Sequence, residues 1–152
     1  MIFQPITEDL LDIVLEIINS NTHYNILENG VPSRTIEEVK NEFLNQNTES
    51  YLIFLENKYI GIIDFLKNNP NDNCTWIGLL MIHREYHCKG YGKMAYNLFE
   101  EKLKQQSFSK VRIGILQENK IAKEFWTSLG FKFYAYKQWK DKTIECFEKQ
   151  LI

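Results

Sequence analysis

The residues with the clearest chemical potential lie between Leu80 and Lys93, in the sequence LMIHREYHCKGYGK. An apolar segment runs into a short polar turn that holds Gly90 and Gly92, and an amphipathic segment follows at once. A strand that leads through such a turn into a helix directs several unbonded backbone N–H groups to one spot, at the positive end of the helix dipole. Glycine lets the chain bend and lets a ligand approach closely. The pattern predicts an anion-binding turn suited to a pyrophosphate.

The glycine pair does not identify the ligand by itself, because glycine also serves many plain tight turns. The dinucleotide-binding motif Gly-x-Gly-x-x-Gly is incomplete, since Ala95 stands at the third glycine position, a replacement that some variants allow. That motif also requires an acid about twenty residues on, after a second strand, where this chain has the lysine-rich end of a helix. A P-loop is excluded because no Gly-Lys-Ser/Thr occurs. A dinucleotide-binding domain stays a weaker alternative.

Two segments together resemble the GNAT acetyltransferases. The stretch before Lys93 is similar to the family's motif A, which is usually Gln/Arg-x-x-Gly-x-Gly/Ala after a strand. Residues 119–131, NKIAKEFWTSLGF, resemble the next signature of the family, an Asn-x-x-Ala helix that closes in Leu-Gly-Phe. The segments stand in the family's order and at its usual separation, with one predicted strand between them. Each motif alone is moderate support, and the two in register identify the chain as similar to GNAT enzymes.

The resemblance implies acetyl-CoA as co-substrate, no metal, and a role for each part of the two motifs. Main-chain groups of residues 80–82 would pair with the pantetheine arm like an added strand. N–H groups of residues 87–93 would hold the pyrophosphate, Asn119 would contact the pantetheine or position the sulfur, and the helix bearing Trp126 would flank the cofactor. The implied cofactor-binding residues are Leu80, Met81, Ile82, His87, Cys88, Lys89, Gly90, Tyr91, Gly92, Lys93, Asn119 and Trp126.

Three residues depart from the family pattern. His87 stands where the family commonly has Gln or Arg, and Cys88 stands where it often has Gly. A histidine still donates one hydrogen bond, although it is mostly uncharged at neutral pH. Trp126 occupies the place where many members carry a tyrosine proposed to protonate the leaving thiolate, and an indole cannot act as that acid. Cofactor binding through backbone groups is expected to survive these changes.

The family's reaction requires a general base, because the amine attacks the thioester directly in a ternary complex. A backbone N–H near Met81 or Ile82 would polarise the carbonyl. The predicted strand 75–82 offers no carboxylate. The candidate catalytic groups are Asp64, an acid inside the apolar run GIIDF, and Tyr134. The alternatives that stay open are His83, Glu85, Tyr136 and a water relay.

The acceptor is expected to be the amine of a small molecule or peptide. His23, Tyr24 and Asn25 fall in a predicted loop, residues 20–33, where the family builds the wall of its acceptor site. They are the candidate substrate-binding residues, and an ordinary surface loop is an equally good interpretation. A catalytically silent acetyl-CoA-binding or regulatory module is the alternative function, because Trp126 replaces the expected acid and no base is obvious.

The composition predicts one soluble domain over residues 1–152, with 44% apolar and 25% charged residues. A net charge of −2 argues against a nucleic-acid partner. No apolar stretch approaches the roughly 18 residues needed to span a bilayer, and the N-terminus lacks the basic start of a secretory signal. The three cysteines share no short spacing, so neither a disulfide framework nor a zinc site is indicated. We expect a cytoplasmic monomer or homodimer without a membrane partner.

The hydrophobic periodicity predicts a single α+β domain, and the resemblance to the GNAT family implies that this domain has the GNAT fold. A single mixed, mostly antiparallel sheet is expected, flanked by about four helices in the order β-α-α-β-β-β-α-β-α-β-β. The predicted strands are residues 2–6, 51–55, 59–66, 75–82, 111–116, 131–136 and 143–150. The predicted helices are residues 10–18, 35–45, 92–105 and 119–129.

Overall fold

The computed structural model describes residues 1–152 and has one seven-stranded sheet in the order β1-β2-β3-β4-β5-β7-β6. The strands are β1 (Ile2–Pro5), β2 (Glu49–Leu55), β3 (Lys58–Asn69), β4 (Cys74–Ile82), β5 (Lys110–Leu116), β6 (Lys132–Trp139) and β7 (Lys142–Gln150). The helices are α1 (Leu11–Ser20), α2 (Thr22–Asn29), α3 (Ile36–Phe43), α4 (Tyr91–Gln105) and α5 (Lys120–Ser128). Every pairing is antiparallel except that of β4 with β5. The predicted α+β fold with a mixed, mostly antiparallel sheet is confirmed.

The sheet is buried on both faces because its central strands are apolar at consecutive positions. Side chains alternate between the two faces along a strand, so the run in β3 supplies both cores. Ile62 packs with α1 and α3 on one face, and Ile63 packs with α4 and α5 on the other. The first core also includes Val14, Ile17, Ile18, Val39 and Phe43, and the second includes Tyr96, Phe99, Leu103, Trp126 and Phe131. Helices on both faces therefore fix β3 and β4 in the middle of the molecule.

The predicted loop over residues 20–33 is wrong, because eight of these residues form helix α2. Asn, Thr and His give this segment weak intrinsic helix propensity, so tertiary bonds must stabilise it. The Asn25 side chain donates to the carbonyls of Ile18 (3.0 Å) and Pro32 (2.9 Å), which ties α2 to its two flanks. Gly30 ends the helix in the left-handed conformation, with φ of 79°. His23, Tyr24 and Asn25 therefore lie on a helix.

Strands β4 and β5 pair at only one position, near the start of both strands. The single pair between them joins Trp76 to Arg112, and the strands diverge beyond it. Asp72 stabilises this pairing, because its carboxylate accepts hydrogen bonds from the Trp76 indole at 2.9 Å and from the Arg112 guanidinium at 3.0 Å. Glu148 accepts from Arg112 on the other side, also at 3.0 Å. The far half of β4 is thus bonded to β3 alone and has a free edge towards β5.

None of the helices combines the length with the apolar character that crossing a membrane requires.

Candidate active site

The free edge of β4 exposes backbone groups of Leu80 and Ile82. His83 N–H donates to the Ile60 carbonyl at 2.8 Å, and antiparallel ladder bonds repeat at every second residue. The main-chain N–H and C=O of Met81 therefore point towards β3, whereas those of Leu80 and Ile82 point into the gap towards β5. The Ile82 carbonyl is already occupied, because it accepts from Asn21 Nδ2 (3.1 Å) and His87 Nε2 (2.8 Å). Both main-chain groups of Leu80 and the N–H of Ile82 remain at the edge.

The turn after β4 carries a run of unbonded N–H groups. His87 N–H donates to the Arg84 carbonyl at 3.2 Å, so the run begins one residue later than its expected start. From Cys88 to Lys93 no N–H has a partner within the chain, and this run continues into the first turn of α4. Cys88 and Gly90 both have left-handed backbones, with φ of 62° and 81°. Consecutive N–H groups at a helix N-terminus fit an anion such as a pyrophosphate.

Gly92 serves the packing of α4 against α5. A Cβ atom at this position would lie 3.1 Å from Cε1 of Phe125, closer than a comfortable contact. Gly90 differs, since a Cβ there would meet no atom within 4 Å. Space for a ligand therefore lies at Gly90, and the half-buried Phe125 ring closes the side next to Gly92.

The two remaining cofactor candidates have structural bonds of their own. Asn119 caps α5, where its Oδ1 accepts from the Ala122 N–H at 3.1 Å. Trp126 is only 8% exposed and packs edge-to-face on Tyr96 and Phe131, with ring centroids 5.5 and 5.0 Å apart. The indole is thus part of the core, and Phe125 is the aromatic residue of α5 that reaches the turn.

A cavity of about 200 Å³ lies on the face of β4 that α1 to α3 cover, opposite to the face that packs on α4 and α5. Helices α1 to α3, strand β4 and the turn between β6 and β7 form its walls. Its lining residues are Ile18, Tyr24, Asn25, Glu28, Asn29, Arg34, Glu42, Gly78, Leu79, Met81, Trp139 and Lys140. Tyr24 and Asn25 therefore border the cavity, whereas His23 is exposed and does not. Burial raises the pKa of Tyr24, with further contributions from Glu28 and Glu42, so its hydroxyl stays protonated at neutral pH.

Asp64 lies beneath the cavity floor at Gly78. The carboxylate is buried, accepts a hydrogen bond from Ser50 Oγ at 2.5 Å, and sits against the bulged part of β4. A Cβ at Gly78 would lie 2.9 Å from Asp64 Oδ2, so glycine leaves the space that this oxygen uses. Burial raises the pKa of Asp64, and the hydrogen bond from Ser50 opposes this shift. The carboxyl can accordingly exchange a proton nearer to neutral pH than an ordinary aspartate.

Tyr134 lies elsewhere in the sheet. Its ring stacks on the Arg112 guanidinium at 4.4 Å, and strands β5 and β7 separate it from β4. Burial raises the pKa of Tyr134 to about 12, although the charge of Arg112 opposes the shift. The structure therefore does not bring the two candidate catalytic groups together. Asp64 lies next to Gly78, which lines the cavity, and neither the Asp64 carboxyl nor the Tyr134 phenol is itself a lining group.

Three residues of the site were not recognised from the sequence. Asn21 ties the end of α1 to the end of β4, and Glu28 faces the cavity from α2. Gly78 carried a usable signal, since a glycine inside an apolar strand often marks close approach of another group. Asn21 and Glu28 carried none, because their segment was predicted as a loop.

Solved structures of acetyltransferases share this fold, whereas no curated protein sequence matches the chain. An acetyltransferase from Thermus thermophilus superposes with TM-score 0.83 at 20% identity, covering 98% of this chain and 96% of that one. The Salmonella typhimurium acetyltransferase that modifies the N-terminal serine of a 50S ribosomal subunit protein gives 0.79 at 13% identity, covering 97% and 93%. The spermidine/spermine N-acetyltransferase of Vibrio cholerae gives 0.69 at 12% identity, covering 99% and 92%.

These structural similarities lie at low identity and concern the fold. The model of the acetyltransferase (GNAT) family, in contrast, matches the sequence itself over residues 14–131, which is most of the chain. The chain belongs to the GNAT family of acetyltransferases.

Proposed function

We propose that this protein transfers an acetyl group from acetyl-CoA to a primary amine. The observation that carries the proposal is the continuity between the free edge of β4 and the unbonded N–H groups of residues 88–93. The pantetheine arm would pair with Leu80 and the N–H of Ile82 as an added strand. The pyrophosphate would then receive hydrogen bonds from the turn and the N-terminus of α4. GNAT enzymes use acetyl-CoA as co-substrate, and this arrangement suits both parts of that molecule.

The reaction proceeds by direct attack in a ternary complex. The amine, once deprotonated, forms a C–N bond with the thioester carbonyl carbon, and the C–S bond breaks. Its electron pair leaves with sulfur, and the second proton of the amine nitrogen goes to the thiolate to give free CoA. The N–H of Ile82 points into the gap and stabilises the charge that develops on the carbonyl oxygen. No residue of the chain becomes acetylated.

Asp64 is the proposed general base. It lies directly behind Gly78 in the cavity floor, and burial raises its pKa, which brings a carboxylate closer to the strength needed to accept a proton from an ammonium group. Tyr134 is not assigned this role, because it stacks on Arg112 and strands β5 and β7 separate it from the cavity floor on β4. Tyr24 and Asn25 would form part of the acceptor wall.

The binding site is tested best at Gly90. Asp and Asn tolerate the left-handed backbone better than other side chains, and space is open there. Gly90→Asp would add a negative charge beside the phosphates, while Gly90→Asn has the same shape without the charge. Repulsion at about 4 Å and an effective dielectric constant near 20 is of order 4 kcal/mol. We expect calorimetry to show at least a tenfold loss of acetyl-CoA affinity for Gly90→Asp and a small change for Gly90→Asn. Equal affinities would refute the assignment of the turn.

The alternative function is a silent acetyl-CoA-binding or regulatory module. A coupled assay of CoA release with a panel of amines and peptides separates the two functions. An enzyme releases CoA in an amine-dependent way, and its initial-rate plots intersect as for a ternary complex. A silent module binds acetyl-CoA without amine-dependent release.

The acceptor of the proposed enzyme would be a small molecule or peptide, and the enzyme would act as a monomer or homodimer. The three cysteines are free, which fits a reducing cytoplasm.

A further inference from the structure

Two hydrogen-bond acceptors of α2, on residues that line the cavity, have no partner in the protein. Glu28 borders the cavity, is half-buried, and forms neither a hydrogen bond nor an ion pair. Asn25 lies three residues earlier, on the same face of the helix. It is fully buried, and its Oδ1 is a buried side-chain atom without a hydrogen-bond partner. Buried polar atoms are nearly always paired in native proteins, so this atom requires an explanation.

The orientation of the Asn25 amide is fixed by its surroundings. Its nitrogen donates to two carbonyls, those of Ile18 and Pro32, at 3.0 and 2.9 Å. Exchanging the oxygen and nitrogen positions would set an oxygen against both carbonyls and lose these bonds. The unpaired group is therefore an acceptor, and a ligand that satisfies it must donate a hydrogen bond.

The positive charges around the cavity are already engaged or lie at its rim. Arg34 forms ion pairs with Glu42 and Glu38. Lys140 is exposed and lies over the Trp139 ring at 4.4 Å, and Lys142 donates to the Leu27 carbonyl. Burial raises the pKa of Glu28, as does the nearby Glu42, while Lys142 and Arg34 act in the opposite direction. Glu28 thus has charged neighbours but no bonded counter-ion.

We propose that the acceptor substrate is a short diamine, whose second, cationic nitrogen is held by Glu28 and Asn25 while the first is acetylated. This inference rests on the proposed acetyl transfer. An ammonium or amidinium group brings both the donors that Asn25 Oδ1 lacks and the charge that Glu28 lacks. The cavity volume of about 200 Å³ corresponds to roughly seven water-sized groups at about 30 Å³ each. The amine that reacts lies towards Gly78 and Asp64, and the second nitrogen lies towards α2.

Three probes of equal chain length test the proposal: putrescine, n-butylamine and gamma-aminobutyrate. They share a four-carbon amine and end in an ammonium, a methyl group and a carboxylate. For the native protein we expect kcat/KM for putrescine to exceed that for butylamine at least tenfold, with gamma-aminobutyrate the poorest. Glu28→Gln keeps the shape and removes the charge, so it should lower kcat/KM for putrescine at least tenfold and leave butylamine within about twofold. Glu37→Gln, an exposed site on α3, is the matched control and should change neither.

The outcomes separate this inference from the function on which it rests. Equal use of putrescine and butylamine, or an equal loss for both in Glu28→Gln, would overturn the diamine assignment while acetyl transfer stands. If no amine releases CoA although acetyl-CoA binds, the proposed enzymatic function fails instead. Calorimetric titration with putrescine then still decides the inference, since the native protein should bind it at least tenfold more tightly than Glu28→Gln. Equal affinities for both proteins would refute it.

Discussion

Replacing Asp64 by asparagine should raise stability and abolish most activity at the same time. The asparagine side chain would have nearly the same size, and its amide oxygen could still accept the hydrogen bond from Ser50. Burial raises the pKa of Asp64 above its unfolded value of about 3.9. The stability that this group contributes is therefore fully present below that unfolded pKa and is lost as the pH rises through the folded pKa. Asparagine does not titrate, so it avoids the cost of a buried charge at neutral pH.

The expected change in activity has the opposite sign. Loss of a general base typically slows a reaction by about 10²–10⁴-fold, which is about 3–5 kcal/mol of transition-state stabilisation. In the native enzyme kcat/KM should rise with pH through the raised pKa of Asp64, and this rise should vanish in Asp64→Asn. Ser50→Ala removes the hydrogen bond that lowers the Asp64 pKa, so it should move the same limb of the profile to higher pH.

Two measurements decide the role of Asp64. Denaturant unfolding at several pH values should show that Asp64→Asn is more stable than the native protein at pH 7 and that this advantage disappears below about pH 4. Steady-state rates of CoA release give the activity. Asp12→Asn, at an exposed position in the first turn of α1, is the control: activity should not change, and stability should fall by only about 0.3–1 kcal/mol through the lost interaction with the helix dipole. Full activity in Asp64→Asn would refute the base assignment, and parallel losses of activity and stability would indicate a structural role instead.

Three further substitutions test the cofactor turn and the core beside it. Cys88→Gly removes the strain of the left-handed backbone at this residue, roughly 1 kcal/mol, although the greater entropy of the unfolded glycine chain offsets part of the gain. Stability should therefore stay equal or rise, and activity should persist. Parallel ping-pong lines for the native enzyme would contradict direct transfer. His87→Arg breaks the hydrogen bond from His87 to the Ile82 carbonyl, which is worth about 0.5–1.5 kcal/mol. Calorimetry at pH 8 should show two- to tenfold weaker binding of acetyl-CoA. Tighter binding would instead place this side chain at the phosphates. Trp126→Tyr should lower the free energy of unfolding by about 1–3 kcal/mol, measured with denaturant, because the smaller ring packs less well on Tyr96 and Phe131. Turnover should not become faster. A gain in rate would mean that the tyrosine hydroxyl reaches the thiolate.

The sheet could be predicted from the sequence because its information is local. Continuous apolar runs and the short turn at residues 56–58 mark β2 and β3, and the two motifs mark the segments on either side of β5. Most predicted boundaries lie within one to three residues of the observed ones. The failure at α2 has a clear cause, since bonds from the Asn25 side chain to carbonyls seven residues before and after it stabilise a segment with weak helix propensity. Such bonds cannot be seen in a local pattern.

The cavity could not be predicted for a related reason. Its walls come from three separate parts of the chain, and Glu28, Gly78 and Lys140 meet only after the sheet is assembled. The assignment of backbone groups also required the structure. The hydrogen bond from the His83 N–H to the Ile60 carbonyl shows which residues of β4 are bonded to β3. The main-chain groups of Met81 point towards β3, and those of Leu80 and Ile82 point into the gap.

Strand β4 connects the two halves of the proposed reaction. Its free edge offers the main-chain groups of Leu80 and Ile82 to one substrate, and its helix-covered face forms the floor of the cavity for the other. Gly78 is the point where these two functions meet, because the missing side chain leaves room for Asp64 beneath the floor. A strand bonded on both sides could not offer such an edge, and a larger residue at position 78 would displace the carboxylate. The early separation of β4 from β5 and the glycine at position 78 are therefore the two features on which the proposed chemistry depends.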